Sequence, residues 1–197
     1  MSYFDSHTIG IFENDLLTVQ EFIKVAINTI MFNRWIINNN YICQSSAINN
    51  ISYMKIEDDK LEKSIKDILD DISRLSKSNQ RVQIDLDFYT QSQGFFSVFF
   101  QSKAYWEKWN ILVIITDKGS QNKESYMRKF IAKILNELNT DKDYMPDIKL
   151  ENFEDIVENK NDKNKDFKFP YDVKVNTGFD YNVFRNFSPV LESQFLS

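Results

Sequence analysis

RVQIDLDFYTQSQGFFSVFFQSKAYWEKWNILVIIT, residues 81–116, carries the decision about the fold. Val82, Ile84, Leu86 and Phe88 alternate with Gln83, Asp85, Asp87 and Tyr89, the period of a strand that buries one face. From Trp109 to Thr116 nearly every position is apolar, which reads as a strand buried on both faces, ending at Asp117-Lys118-Gly119. The two strands pair as a hairpin. Their connection holds Gly94-Phe95-Phe96-Ser97-Val98-Phe99-Phe100 where a polar turn is ordinary.

On either side of this hairpin the period changes to that of helices. From Glu13 to Ile37, apolar residues at Leu16, Val19, Ile23, Ala26, Ile27, Ile30 and Met31 mark a long helix that runs out in Asn38-Asn39-Asn40. A short strand over Ile51–Ile56 leads to Glu57-Asp58-Asp59, acids suited to a helix N-terminus. The helix that follows buries Leu61, Ile65, Ile68, Ile72 and Leu75 and leaves Lys60, Glu62, Lys63, Lys66, Asp67, Asp70 and Asp71 as a solvated face. Ser120 or Asn122 caps a third helix, with Met127, Phe130, Ile131, Ile134 and Leu138 inward, ending before Pro146.

Residues 151–168 are rich in Asn and Lys of mixed charge and are expected to form a mobile connection, centred on 158–166. Alternation resumes at Phe167, Phe169, Tyr171, Val173 and Val175, with Pro170 marking an edge or strand-start position. A turn at Asn176-Thr177-Gly178 permits a C-terminal β-hairpin through Phe179, Tyr181 and Phe184. This order lacks strict βαβ alternation. It predicts a single α+β domain over 1–197, with three main helices on one face of an antiparallel central sheet.

Composition excludes several kinds of chemistry. The 24 Lys and Arg against 29 Asp and Glu give a net charge of −5 with no basic field, which disfavours nucleic acid. One histidine, His7, and one cysteine, Cys43, cannot build a zinc site or an iron–sulfur cluster. Four isolated glycines make no phosphate-cradling loop, so neither a cofactor nor a catalytic residue is expected. Asp85 and Asp87 share one strand face and suit a cation, yet alternate acids on a solvent-facing strand commonly serve solubility. The lone cysteine and the unremarkable first residues point to a reducing, cytosolic compartment. No apolar run approaches the ~18 residues of a membrane span.

Several short motifs, in this order, resemble the HORMA domain family and within it the autophagy-related protein 101 group. Asn28-Thr29-Ile30-Met31-Phe32-Asn33-Arg34 is similar to a His-Thr-x-Leu-x-His-Arg stretch, with asparagine at both histidine positions. Ser52-Tyr53-Met54-Lys55-Ile56 stands where the family has an aromatic strand, and Leu86-Asp87-Phe88-Tyr89 resembles its Leu-Glu-Phe-Tyr. Trp106-Glu107-Lys108-Trp109 resembles a Trp-Glu-x-Trp, with Tyr105 where a proline usually precedes it. Tyr144-Met145-Pro146 and Pro170-Tyr171-Asp172-Val173-Lys174-Val175 resemble a Tyr-Leu-Pro and a Pro-Tyr-x-x-Lys-Ile strand.

The resemblance implies a HORMA-like, non-enzymatic scaffold of the autophagy-initiating kinase complex. Such a scaffold pairs with and stabilises the HORMA domain of autophagy-related protein 13, recruits downstream autophagy factors and works in the cytoplasm at the phagophore assembly site. In the family an exposed Trp-Phe finger precedes the Trp-Glu-x-Trp. Here that loop has no tryptophan, and Phe95, Phe96, Phe99 and Phe100 either take the finger's place or pack as core. HORMA dimers use the outer side of the third helix, where Lys129, Lys133 and Asn136 fall off the apolar stripe, as ordinary solvated positions also do. Trp106 and Trp109 are assigned to the core. The alternative is a HORMA adaptor of the spindle-checkpoint type, whose C-terminal segment wraps a partner peptide.

Overall fold

The computed structural model describes residues 5–37, 41–48, 50–75, 81–91, 103–116, 122–140, 167–168 and 171–177. The strands are β1 (Asp5–Asn14), β2 (Trp35–Ile37), β3 (Tyr41–Ser45), β4 (Ser52–Ile56), β5 (Arg81–Gln91), β6 (Lys103–Ile115), β7 (Phe167–Lys168) and β8 (Tyr171–Thr177). The helices are α1 (Leu16–Arg34), α2 (Asp59–Leu75) and α3 (Lys123–Asn139). The class is α+β, as the patterning predicts.

The main sheet has the order β1-β6-β5-β8. β5 pairs antiparallel with β6 and with β8, setting Ile84 opposite both Ile111 and Val175. The expectation of an antiparallel sheet fails at one edge, because β1 pairs with β6 in parallel, Ile9 lying opposite Ile111. Sequence reading missed β1, although His7, Ile9 and Ile11 alternate with Ser6, Thr8 and Gly10 at the strand period. β1 and β6 are far apart in the chain, so a connection through α1, α2 and β5 can bring them side by side in the same direction.

One face of this sheet is the core. Ile9, Ile11, Val82, Ile84, Leu86, Phe88, Trp109, Ile111 and Val113 form one buried cluster with Val19, Phe22, Ile23 and Ile30 of α1, and with Met127, Phe130 and Ile134 of α3. Leu61, Ile65, Ile68 and Ile72 of α2 join it. The three helical stripes are therefore placed as their spacing predicts, with Ile131 half-buried at the margin of its stripe.

α1 is shorter than its apolar pattern. Asp15 caps it, accepting hydrogen bonds from the Thr18 backbone N–H at 3.0 Å and the Thr18 hydroxyl at 2.8 Å. At the other end the expected helix to Ile37 stops at Arg34, and Trp35–Ile37 become β2, paired with β7. Bulky, β-branched side chains suit that strand at least as well as a helix. α2 and α3 begin at the expected caps, Asp58 accepting from the Leu61 N–H at 2.7 Å and Asn122 from the Ser125 N–H at 3.2 Å. The segment 158–166 and the C-terminal β-hairpin beyond Thr177 lie outside the described residues.

Candidate functional site

The Trp-Glu-x-Trp strand and the Asn-Arg end of the first helix meet in the core. Glu107 and Arg34 are both buried, with Nε to Oε2 and Nη2 to Oε1 each at 2.7 Å. Burial pushes the Glu107 carboxyl up, but the hydrogen bonds from Arg34 and His7 outweigh it and hold the group below the usual range. His7 lies against this pair, Nε2 3.4 Å from Glu107 and Nδ1 3.2 Å from Glu137 on α3. The ring thus lies between two carboxylates, with Nδ1 within hydrogen-bond distance of the Glu137 carboxylate. The ring packs on Trp109 with centroids 4.3 Å apart. Four elements, α1, β1, β6 and α3, are joined at one junction.

That junction orients α3. Phe22 of α1 meets Tyr126 and Phe130 with centroids at 5.0 and 5.2 Å, and the Tyr126 hydroxyl donates to the Gly10 carbonyl at 3.4 Å. On the opposite flank the Arg128 guanidinium donates to the Asn50 carbonyl at 2.8 Å. Asn50 sits between β3 and β4 with φ 62°, a left-handed conformation that Asn tolerates. Lys123 reaches Asp15 at 2.7 Å. Desolvation works to raise the Asp15 carboxyl, yet Lys123 and the Thr18 bonds bring it down to about 2.

The remaining face of α3 looks outward. Lys129 and Asn136 are exposed and Lys133 is half-buried on the flank towards Glu137. Leu135, which sequence reading passed over, is 37% exposed on the same helix. Its sign was available: Leu135 lies four residues after Ile131, at the margin of the inward stripe and off its Met127, Phe130, Ile134 and Leu138 centre.

The outer face of the main sheet corrects the view of Asp85. The residue is buried, not solvated, and its carboxylate accepts from Gln83 at 2.6 Å and from Asn176 at 2.8 Å, with Lys108 3.4 Å away. Asp87 is less well served. Burial pushes its carboxyl up against the pull of Lys108, and Asp85 adds to the rise. Among the described residues no group of His, Cys, Asp or Glu has the arrangement to hold a metal ion. No described helix is long and apolar enough to cross a membrane.

Trp109 and Trp106 are buried, as assigned, Trp106 packing on Phe88 at 5.6 Å. Phe95, Phe96, Phe99 and Phe100 lie outside the described residues, as does Tyr144-Met145-Pro146. Compared with known proteins, residues 12–152 match the family model described as Autophagy-related protein 101. No individually curated protein matches the chain significantly.

Proposed function

The chain belongs to the autophagy-related protein 101 family, and from this premise we propose that it is a non-enzymatic scaffold that pairs through the outer face of α3 with the HORMA domain of autophagy-related protein 13. The observation that carries this reading is the family match, which spans both the Asn-Arg helix end and the Trp-Glu-x-Trp strand. Arg34 and Glu107, one from each motif, hold each other in the core, so these motifs serve the framework that presents α3. Lys129, Lys133 and Asn136, with Leu135 as an apolar centre, form the pairing surface in this proposal.

The partnership ties the chain to the autophagy-initiating kinase complex, at the phagophore assembly site in the cytoplasm. Phe95, Phe96, Phe99 and Phe100, in the segment that joins β5 to β6, recruit downstream factors, since a few aromatics seated in a partner pocket can dominate binding energy. No cofactor is required.

Co-expression with the HORMA domain of the same organism's autophagy-related protein 13, followed by size-exclusion chromatography with light scattering, tests the pairing. The expected result is a one-to-one complex that Lys133→Glu weakens at least tenfold. A chain that ignores this partner overturns the proposal. Alanine at all four phenylalanines is expected to leave the one-to-one complex intact and abolish recruitment; loss of folding in that variant assigns them to the core instead.

A further inference from the structure

β3 is an edge unlike the others. Its five residues pair with β4 without a break in register, Tyr41 opposite Ile56 through Ser45 opposite Ser52, and the sheet they form has two strands. Among the described residues no third strand covers the other side of β3. Tyr41 is 48% and Ile42 43% exposed, and Cys43 is exposed beside them.

Exposed strand edges carry unpaired N–H and C=O groups and are normally guarded by charges, proline or bulges. The edges of the main sheet follow this rule. β1 has a register break between Ile11 and Asn14, and β8 carries Asp172 and Lys174, the former in an ion pair with Lys103. β3, Tyr-Ile-Cys-Gln-Ser, has no charge, no proline, no glycine and no bulge. It is also firmly held. β4 packs on α1, the Tyr41 ring meets Phe32 of α1 edge-on at 5.4 Å, and Lys55 of β4 is ion-paired with Glu62 of α2.

We propose that the outer edge of β3 docks a second copy of this chain, strand against strand, across a twofold axis at Cys43. A row of backbone donors and acceptors accepts only another extended strand. The edge has no charge with which to select a charged peptide, whereas antiparallel pairing with itself needs nothing further. It sets Ile42 opposite Gln44 of the other copy and Tyr41 opposite Ser45, brings no like charges together, and converts two strands into a four-stranded sheet. Five residues a side is little area, so the dimer belongs with weak, concentration-dependent interfaces. The edge belongs to a different element from α3, although the β3–β4 turn touches that helix through Asn50 and Arg128, and the inference does not rest on the proposed pairing.

Cys43 is the single cysteine of the chain, so any disulfide-linked dimer is joined at that position. Directly opposed residues of an antiparallel pair have Cα atoms about 4.5–5.5 Å apart, within disulfide reach. The experiment is sedimentation equilibrium of the full chain over a wide concentration range, with copper–phenanthroline cross-linking in parallel. The expected result is a reversible dimer that cross-links at Cys43, persists without oxidant in Cys43→Ser, and is weakened at least tenfold by Ile42→Lys. An exposed position on a strand edge tolerates that lysine without loss of the fold. A chain that stays monomeric throughout, or Ile42→Lys dimerising like the unaltered protein, overturns the proposal. So does hydrogen-exchange protection of residues 41–45 that arises only on adding the autophagy-related protein 13 HORMA domain, which assigns the edge to that partner.

Discussion

Arg34 at the end of α1 and Glu107 in β6, 73 residues apart in the chain, form a bidentate ion pair with both partners out of contact with water. The pair closes the core where helix and sheet cross, and it fixes the point at which the chain leaves the helix for β2. Its guanidinium fork matches the carboxylate in a way that a lysine cannot.

Breaking this pair from one side leaves a buried charge alone. Glu107→Ala and Arg34→Ala are each expected to cost about 3–5 kcal/mol of stability. The Arg34→Ala/Glu107→Ala double variant should cost clearly less than the sum of the two, because neither partner's charge is left without the other. Urea midpoints for the four proteins measure the cycle. Additive losses would show that the two side chains act independently.

Asp15 supplies an acid-sensitive contribution. Its carboxyl titrates at about 2 in the fold against 3.8 when free. A depressed value means stability that is present above the free value and disappears as pH falls from 3.8 towards about 2. Asp15→Ala should cost about 1–2 kcal/mol at neutral pH as a lost helix cap. Denaturation of both proteins along a pH series should show that gap closing below pH 4; a gap independent of pH would remove the charge from the account.

Asp85 and Asp87, two residues apart on one strand, should respond in opposite ways. Removing the Asp85 carboxylate strands Gln83 and Asn176, and Asp85→Ala should lose about 1–3 kcal/mol. Asp87 has a carboxyl raised by burial, so its ionised form opposes folding as pH rises through its folded value. Asp87→Asn should therefore be neutral or stabilising at pH 7, with the gain vanishing in acid. Thermal melts of the two variants at pH 7 and pH 3 decide the matter.

Lys129→Glu and Asn136→Ala alter exposed positions of α3 and should leave stability within about 0.5 kcal/mol of the parent. The same changes should reduce capture of the proposed HORMA partner. A large loss of stability in either variant would mean that this face supports the fold and is not held in reserve for a partner.

Local physics was legible in the chain. The period-two run over Val82–Phe88, the helical stripes of α2 and α3 and the caps at Asp58 and Asn122 depend on neighbours within a few residues, and each element formed where its pattern lies. What escaped the sequence depends on residues far apart. Trp35–Ile37 continued an apolar helical run, yet strand pairing with β7 ended α1 at Arg34. β1 showed the strand period, but only its place beside β6 made the sheet mixed.

Asp85 is the sharpest case. Its alternation put it on a face expected to meet water, and partners from two other strands, Lys108 and Asn176, enclose it instead. Likewise nothing near Glu107 in the chain announces that Arg34 and His7 surround it. Sequence alone determined β5, α2 and α3, their inward stripes and the family resemblance, because these follow from spacing and short motifs along the backbone. Tertiary structure alone decided which charges are buried together and which edge has no neighbouring strand among the described residues. Those depend on contacts between strands and helices whose separation in the chain carries no periodic signal.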